Sequence, residues 1–193
     1  RREAAERLGV NPDAPTLLVT GGSLGALHVN ESMTGAADAL PEGAQVVHLT
    51  GRGKDEPVRA AVEKAGLSDR WHVIDYLTTM EDALAVADLV VCRSGAGTVA
   101  EMEALGLPCI YVPLPIGNGE QRLNAADHVA AGGAQLIDDK DFTADFVRRN
   151  VFPLLGSTRL ADMAAASQSL GRAGAARALA DLALEQVKEA GNE

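Results

Sequence analysis

Hydrophobic residues gather in short runs along this chain, separated by longer stretches with helical spacing. The β-rich runs fall at 16–20, 45–50, 71–75, 88–92, 108–112 and 134–137. Most are near-continuously apolar rather than alternating with polar residues, which marks parallel strands covered on both faces. Between them, 26–40, 54–65, 80–86, 98–105 and 121–131 have helical composition. Most of these stretches end at glycine or proline, as at Gly66, Gly106-Leu107-Pro108 and Gly132-Gly133. Alternating strands and helices predict an α/β fold, a doubly wound six-stranded parallel sheet of Rossmann-like type with right-handed crossovers. From 143 onward only helical patterns remain, at 143–154, about 158–170 and 173–190. Leu160, Met163, Ala164 and Ser167 recur there at i, i+3, i+4 and i+7. The expected organisation is an α/β domain over 1–155 and a helical tail over 156–193, packing on that domain or on another outside this sequence.

Two loops stand out against this pattern. Thr20-Gly21-Gly22-Ser23-Leu24-Gly25 follows the first strand, and Arg93-Ser94-Gly95-Ala96-Gly97-Thr98 follows the fourth. Each opens a helix, so each presents unpaired backbone N–H groups and the positive end of a helix dipole, which suits phosphate. In a sheet of order 3-2-1-4-5-6 the first and fourth strands are central neighbours whose connections leave toward opposite faces. Ligands bind in the crevice this creates at the strands' carboxyl ends. Either loop alone reads equally well as a turn; the pair at these two strands favours a ligand site. The first loop lacks the Lys-Ser/Thr ending of a P-loop and does not read G-x-G-x-x-G. The second strand ends in His48-Leu49-Thr50-Gly51 without an acidic residue for a ribose, so a nicotinamide dehydrogenase is a poor fit.

Composition narrows the ligand further. The chain of 193 residues is 47% hydrophobic, 23% charged and only 3% aromatic, with a net charge of −10. Few stacking rings and a negative balance exclude nucleic acid as the expected partner. Arg148-Arg149 is a small basic pair, and no larger basic patch suggests a lipid surface. Cys92 and Cys109 read as buried, reduced thiols rather than a disulfide framework. No apolar stretch reaches 18 residues, and Arg1-Arg2-Glu3-Ala4-Ala5-Glu6 has no hydrophobic segment behind it, so neither a membrane span nor a signal peptide is expected. His28, His48, His72 and His128 show no metal-ligand spacing, and no Ser-His-Asp or paired-carboxylate arrangement stands out.

Glu101 has two readings. Thr98-Val99-Ala100-Glu101 fits a capping box, with Glu101 reaching back to the backbone. Alternatively Glu101, one turn into a helix aimed at the crevice, accepts hydrogen bonds from ribose hydroxyls. The polar run 116–124, with its glycines and amides, suits sugar hydroxyls, although its local chemistry favours a solvated loop.

Gly21-Gly22-Ser23-Leu24-Gly25, the run from Val90 to Glu101, Gly106-Leu107-Pro108, Tyr111-Val112-Pro113 and Glu120-Gln121-Arg122-Leu123-Asn124-Ala125 together resemble one family. It is the bacterial UDP-N-acetylglucosamine transferases that convert lipid I to lipid II in peptidoglycan synthesis, enzymes of GT-B architecture. The likeness runs from about 16 to 137 and covers only the C-terminal, nucleotide-sugar half of such an enzyme. It implies that Gly22, Ser23 and Leu24 face the diphosphate. It implies that Leu77, after Tyr76, reads the uracil edge through its backbone, with Met80 nearby. Ala96, Gly97, Thr98, Val99, Ala100 and Glu101 would line the phosphate and ribose, and Gln121, with Glu120 beside it, would meet the acetylglucosamine. Leu24 stands where the family usually has glutamine, and Glu120 where an amide or histidine is common. The resemblance therefore carries no side-chain contact over to those two positions, while backbone contacts remain open.

The resemblance further implies an inverting transfer with no cofactor and no essential metal. The general base and the lipid-linked acceptor would belong to an N-terminal half, leaving no catalytic residue in this chain and no activity without that half. It places the enzyme in the cytoplasm, at the cytoplasmic face of the bacterial inner membrane, with membrane association expected only of the full-length protein. Two other readings stay open: half of a different UDP-sugar or split glycosyltransferase, and a nucleotide-sugar-binding module without chemistry.

Overall fold

The computed structural model describes residues 1–22, 25–116 and 118–171. It begins with α1 (Arg2–Leu8), β1 (Thr16–Thr20), α2 (Leu27–Thr34) and β2 (Gln45–Leu49). Next come α3 (Asp55–Lys64), β3 (Trp71–Ile74), α4 (Met80–Val86), β4 (Leu89–Cys92), α5 (Ala96–Leu105) and β5 (Cys109–Tyr111). The described chain closes with α6 (Glu120–Asn124), α7 (Ala126–Ala130), β6 (Ala134–Leu136), α8 (Ala144–Phe146) and α9 (Thr158–Leu170). The six strands form one sheet in the order β3-β2-β1-β4-β5-β6, and every pairing is parallel. The doubly wound architecture expected from the hydrophobic runs is therefore the observed one.

Alternate residues of each strand feed alternate faces. Leu17 and Val19 of β1 join Val46, Val91 and Ile110 in one core layer, under Val29 and Met33 of α2, Val58 and Val62 of α3, and Leu160 and Met163 of α9. Leu18 joins Val47, Val90, Cys92 and Tyr111 in the other, under Ala4 and Ala5 of α1, Ala83 and Leu84 of α4, and Val99 and Met102 of α5. Leu17 and Leu18 are wholly buried on opposite faces, so truncating either to alanine costs about 2–5 kcal/mol. Burial on both faces explains why these strands read as continuous apolar runs.

Three expectations differ in detail, and one helix has no counterpart in the sequence pattern. Helix α1 gave no periodic signal: it has seven residues, and Gly9 ends it in the left-handed region at φ 68. It is pinned to α4, where the Arg7 guanidinium donates to both carboxylate oxygens of buried Asp82 at 2.6–3.1 Å. The helix expected over 26–40 stops at Thr34, with Gly35 as its C-cap, and a 3₁₀ turn (Ala37–Ala39) follows. The stretch 121–131 breaks at Ala125 into α6 and α7. The stretch 143–154 starts with Thr143 capping Phe146 N–H, then passes through a π turn (Val147–Val151) and a 3₁₀ turn (Phe152–Leu154). Pro153, which has no N–H, sits in that last turn.

Of the tail, α9 packs on the same sheet. Its Ser167 hydroxyl bonds to His128 Nε2 and to the Gly133 carbonyl. The helix expected over 173–190 lies outside the described residues, as do Ser23 and Leu24. Among the described residues, no helix is long and apolar enough to cross a membrane.

Candidate functional site

β1 and β4 are hydrogen-bonded neighbours, with Thr20 opposite Cys92 at their carboxyl ends. The glycine loops after these strands therefore sit on the two lips of one crevice. The crevice holds about 280 Å³ and is lined by the ends of four strands: Thr20 and Gly22, Leu49 and Gly51, Asp75 to Leu77 with Met80, and Cys92 and Arg93. Thr98, Glu101 and Met102 of α5 complete it. Of the residues singled out from sequence, Gly22, Tyr76, Leu77, Met80, Thr98 and Glu101 thus share one cavity.

The first loop is shaped by close approach. Gly25 lies at φ +66, and a Cβ there would stand 2.1 Å from the Thr50 carbonyl oxygen. At Gly21 a Cβ would stand 2.2 Å from Ala26 N. Only glycine admits both contacts, so the loop is pressed between the end of β2 and the start of α2.

The second loop departs from the capping-box reading. Helix α5 begins at Ala96, with Gly95 as N-cap at φ −63, ψ 148 and no side-chain cap. Ala96 and Gly97 take helical backbone, so Thr98 is already the third residue of the helix and does not cap it. The first main-chain bond of α5 runs from Val99 N–H to the Gly95 carbonyl at 2.9 Å. The amides of Ala96, Gly97 and Thr98 are left open at the positive end of a ten-residue helix. Glu101 lies in the crevice wall, exposed, and among the described residues makes no hydrogen bond or ion pair. Val99 points the other way, buried in the core layer beneath α5, and Ala100 is exposed outside the crevice lining.

Electrostatically the crevice relies on backbone rather than on cationic side chains. Arg93 lines it, but its guanidinium is spent on the carbonyls of Val112 and Pro113 and on Asp139, with both charged side chains about 85% buried. Asp75 and Glu101 supply acceptor oxygens, which suit hydroxyl groups. Tyr76 is partly exposed, and the Arg52 guanidinium lies 4.0 Å over its ring centre. Cys92 is no nucleophile: a hydrogen bond with Cys109 and burial both push its thiol pKa up.

Glu120 and Gln121 lie in a second cavity of about 510 Å³ at the carboxyl end of β5, bounded by Pro113–Ile116, Asn118–Arg122 and Asp138–Lys140. Gln121 Oε1 accepts from Leu114 N–H at 2.9 Å, which ties α6 to the loop after β5. Arg93 joins the two cavities, since it lines the first and grips Pro113 and Asp139 in the wall of the second.

Sequence reading missed several polar groups here. The Ser94 hydroxyl, in the second loop, is fully buried with no partner among the described residues. Asn124 Nδ2 donates to the Ser94 carbonyl at 3.1 Å. His48, buried in β2, accepts from Trp71 Nε1–H at Nδ1 and meets Asn30 Oδ1 through Nε2, at 3.2 and 3.0 Å. Ser167, His128 and Tyr111 form a hydrogen-bonded chain from α9 to β5, all fully buried, which makes it a strut rather than a nucleophile and its base. A histidine inside a run of buried aliphatics was the one sequence sign of such wiring. Among the described residues no cluster of three or more metal-ligating side chains occurs.

Comparison with known proteins fits this geometry. The family model described as "Glycosyltransferase family 28 C-terminal domain" matches residues 16–179. A UDP-N-acetylglucosamine–N-acetylmuramyl-(pentapeptide) pyrophosphoryl-undecaprenol N-acetylglucosamine transferase of Bifidobacterium adolescentis is 50% identical over 80% of this chain and 43% of its own length. The enzyme of the same name from Bifidobacterium longum is 48% identical over 93% of this chain and 49% of its own. The crystal structure of Acinetobacter baumannii MurG superposes with a TM-score of 0.80 at 27% identity, covering 93% of this chain and 52% of that one. This chain therefore spans about half the length of the relatives it matches. A putative UDP-N-acetylglucosamine 2-epimerase from Listeria monocytogenes shares the fold at a TM-score of 0.67 and 21% identity. With the family model spanning most of its length, this chain belongs to glycosyltransferase family 28, to the C-terminal domain of that family.

Proposed function

We propose that this chain is the donor-binding half of an inverting glycosyltransferase that moves N-acetylglucosamine from UDP-N-acetylglucosamine to lipid I, forming lipid II in peptidoglycan synthesis. The observation that carries this reading is the pairing, in one crevice, of open first-turn amides on α5 with the unengaged carboxylate of Glu101. An anion and a diol are the complementary ligand, and a nucleoside diphosphate contains both. The names of the relatives supply the sugar and the acceptor.

In this assignment the amides of Ala96, Gly97 and Thr98 and the start of α2 hold the diphosphate. Glu101 accepts from the ribose hydroxyls, the backbone of Leu77 pairs with the uracil edge, and Tyr76 and Met80 flank the base. The sugar extends toward the second cavity, where Gln121 and Glu120 stand. During transfer the acceptor hydroxyl oxygen attacks the anomeric carbon, and the bond from that carbon to the β-phosphate oxygen breaks. UDP leaves with the electron pair, and the hydroxyl proton passes to a base supplied from outside this chain. Negative charge grows on the departing diphosphate, where fixed N–H dipoles stabilise it more in the transition state than in the ground state. No titratable side chain of this half is needed for proton transfer. The site of action proposed with this reading is the cytoplasmic face of the inner membrane, reached as part of the full-length protein.

Isothermal titration with UDP, UDP-N-acetylglucosamine and UDP-glucose tests the reading. Saturable binding of UDP with preference for the acetylglucosamine form is expected. Absence of heat with all three overturns it, and binding of UDP with no sugar preference supports a different UDP-sugar transferase.

A further inference from the structure

Four groups from β3, β2, the residue after β2 and α2 form one buried chain of hydrogen bonds beside the first glycine loop. Trp71 Nε1–H on β3 donates to His48 Nδ1 on β2 at 3.2 Å. Because an indole nitrogen only donates, the remaining imidazole proton sits on Nε2, which donates to Asn30 Oδ1 of α2 at 3.0 Å. Asn30 Nδ2 then donates to the Thr50 carbonyl at 3.0 Å. His48 is fully buried and Asn30 nearly so. Every donor and acceptor in the chain points in one sense, so none can be removed without leaving a buried partner unpaired.

The chain ends where the loop is tightest. The Thr50 carbonyl oxygen that takes the Asn30 amide is also the atom against which Gly25 closes. Gly25 leads directly into α2, whose first main-chain bond is Asn30 N–H to the Ala26 carbonyl at 2.9 Å. Asn30 therefore closes the first turn of α2 through its backbone and ties that turn to the end of β2 through its side chain. Gly51, the next residue, lines the crevice.

We infer that Asn30 and His48 are positioning residues for diphosphate binding, which set the height of the α2 amino terminus over the crevice. They touch no ligand themselves. The inference rests on the nucleotide reading above and adds which buried side chains hold its phosphate-facing half in place. Trp71 completes the chain and packs edge-on against Phe152 at 6.4 Å between ring centres, which ties the clamp to the core.

The test compares UDP with uridine, since the two differ only in the diphosphate. Affinities of both for the full chain are measured by NMR titration for the unaltered protein, Asn30→Asp, His48→Gln and Arg7→Ala. Asn30→Asp keeps the acceptor for His48 but removes the donor to Thr50. Arg7→Ala, on the far helix α1, destabilises the fold without touching the clamp. The expected result is a loss of roughly five- to tenfold in UDP affinity for Asn30→Asp and His48→Gln, the worth of about one hydrogen bond. Uridine affinity stays within about twofold, and Arg7→Ala keeps the ratio of UDP to uridine affinity. Should Asn30→Asp fail to fold, the His48→Gln ratio decides. An unchanged ratio in the folded clamp variants overturns the inference while leaving the nucleotide reading standing. Failure of the unaltered chain to bind UDP overturns both.

Discussion

Lowering the pH should destabilise this protein through His48 before most carboxylates titrate. Burial without a compensating charge drops the imidazole pKa from 6.5 to about 3. Its two hydrogen bonds hold the neutral form, since Nδ1 accepts and only Nε2 carries a proton. The unfolded chain takes up a proton near pH 6.5 that the folded chain refuses until about pH 3, so stability falls as pH falls through that window. Integrated between about pH 7.5 and pH 5, the linkage comes to about 2 kcal/mol, and the full window to roughly 4–5 kcal/mol. His72 and His128 are lowered by burial as well and act in the same direction. The assay is therefore a difference: urea unfolding free energies of the unaltered chain and of His48→Gln at a series of pH values. The gap between them should shrink by about 2 kcal/mol on going from about pH 7.5 to pH 5, because glutamine does not titrate. A gap that stays constant within about 0.5 kcal/mol would refute the claim that His48 is held neutral.

Glu101→Ala should weaken UDP binding roughly 10- to 100-fold, the worth of hydrogen bonds to a charged acceptor. Its unfolding free energy should change by less than about 0.5 kcal/mol, since the carboxylate caps nothing; a loss of about 1 kcal/mol with binding intact would restore the capping reading. Gly25→Ala should cost about 2–5 kcal/mol in denaturant unfolding, because its Cβ meets a main-chain oxygen at 2.1 Å and its φ is +66. The hydrogen bond from Arg7 holds the Asp82 carboxyl below its usual value of 3.8. That contribution is present above pH 3.8 and fades as pH falls through the lowered value, so Asp82→Asn should be less stable than the unaltered chain at neutral pH and approach it in acid. Acid-unfolding curves of the two proteins check this, and a deficit independent of pH would contradict it.

What the sequence discloses here depends on how local the cause is. The strands are legible because burial on both faces forces continuous apolar runs such as Leu17-Leu18-Val19 and Leu89-Val90-Val91. The switch-point crevice follows from the strand order and from glycines that only a close approach requires. The start of α5 is hard to read because Gly95-Ala96-Gly97 has poor helical composition, yet Ala96 and Gly97 already follow the helix. Helix α1 is too short to show a period and is held by Arg7 to Asp82, 75 residues away. Of the clamp, only the histidine in an aliphatic run is legible, since Trp71, His48 and Asn30 lie on β3, β2 and α2 and meet only in the fold. Arg93 could be seen beside the second loop, but not that Asp139 and two carbonyls take up its charge.

The most direct test of the central claim is a residue-resolved NMR titration of the 15N-labelled chain with UDP-N-acetylglucosamine. Saturable shifts at the amides of Ala96, Gly97, Thr98 and Leu77, with those of Thr16 and Asp88 at the opposite end of the sheet unmoved, are the predicted result. Shifts confined to residues away from the β1–β4 crevice, or none at all, would contradict it.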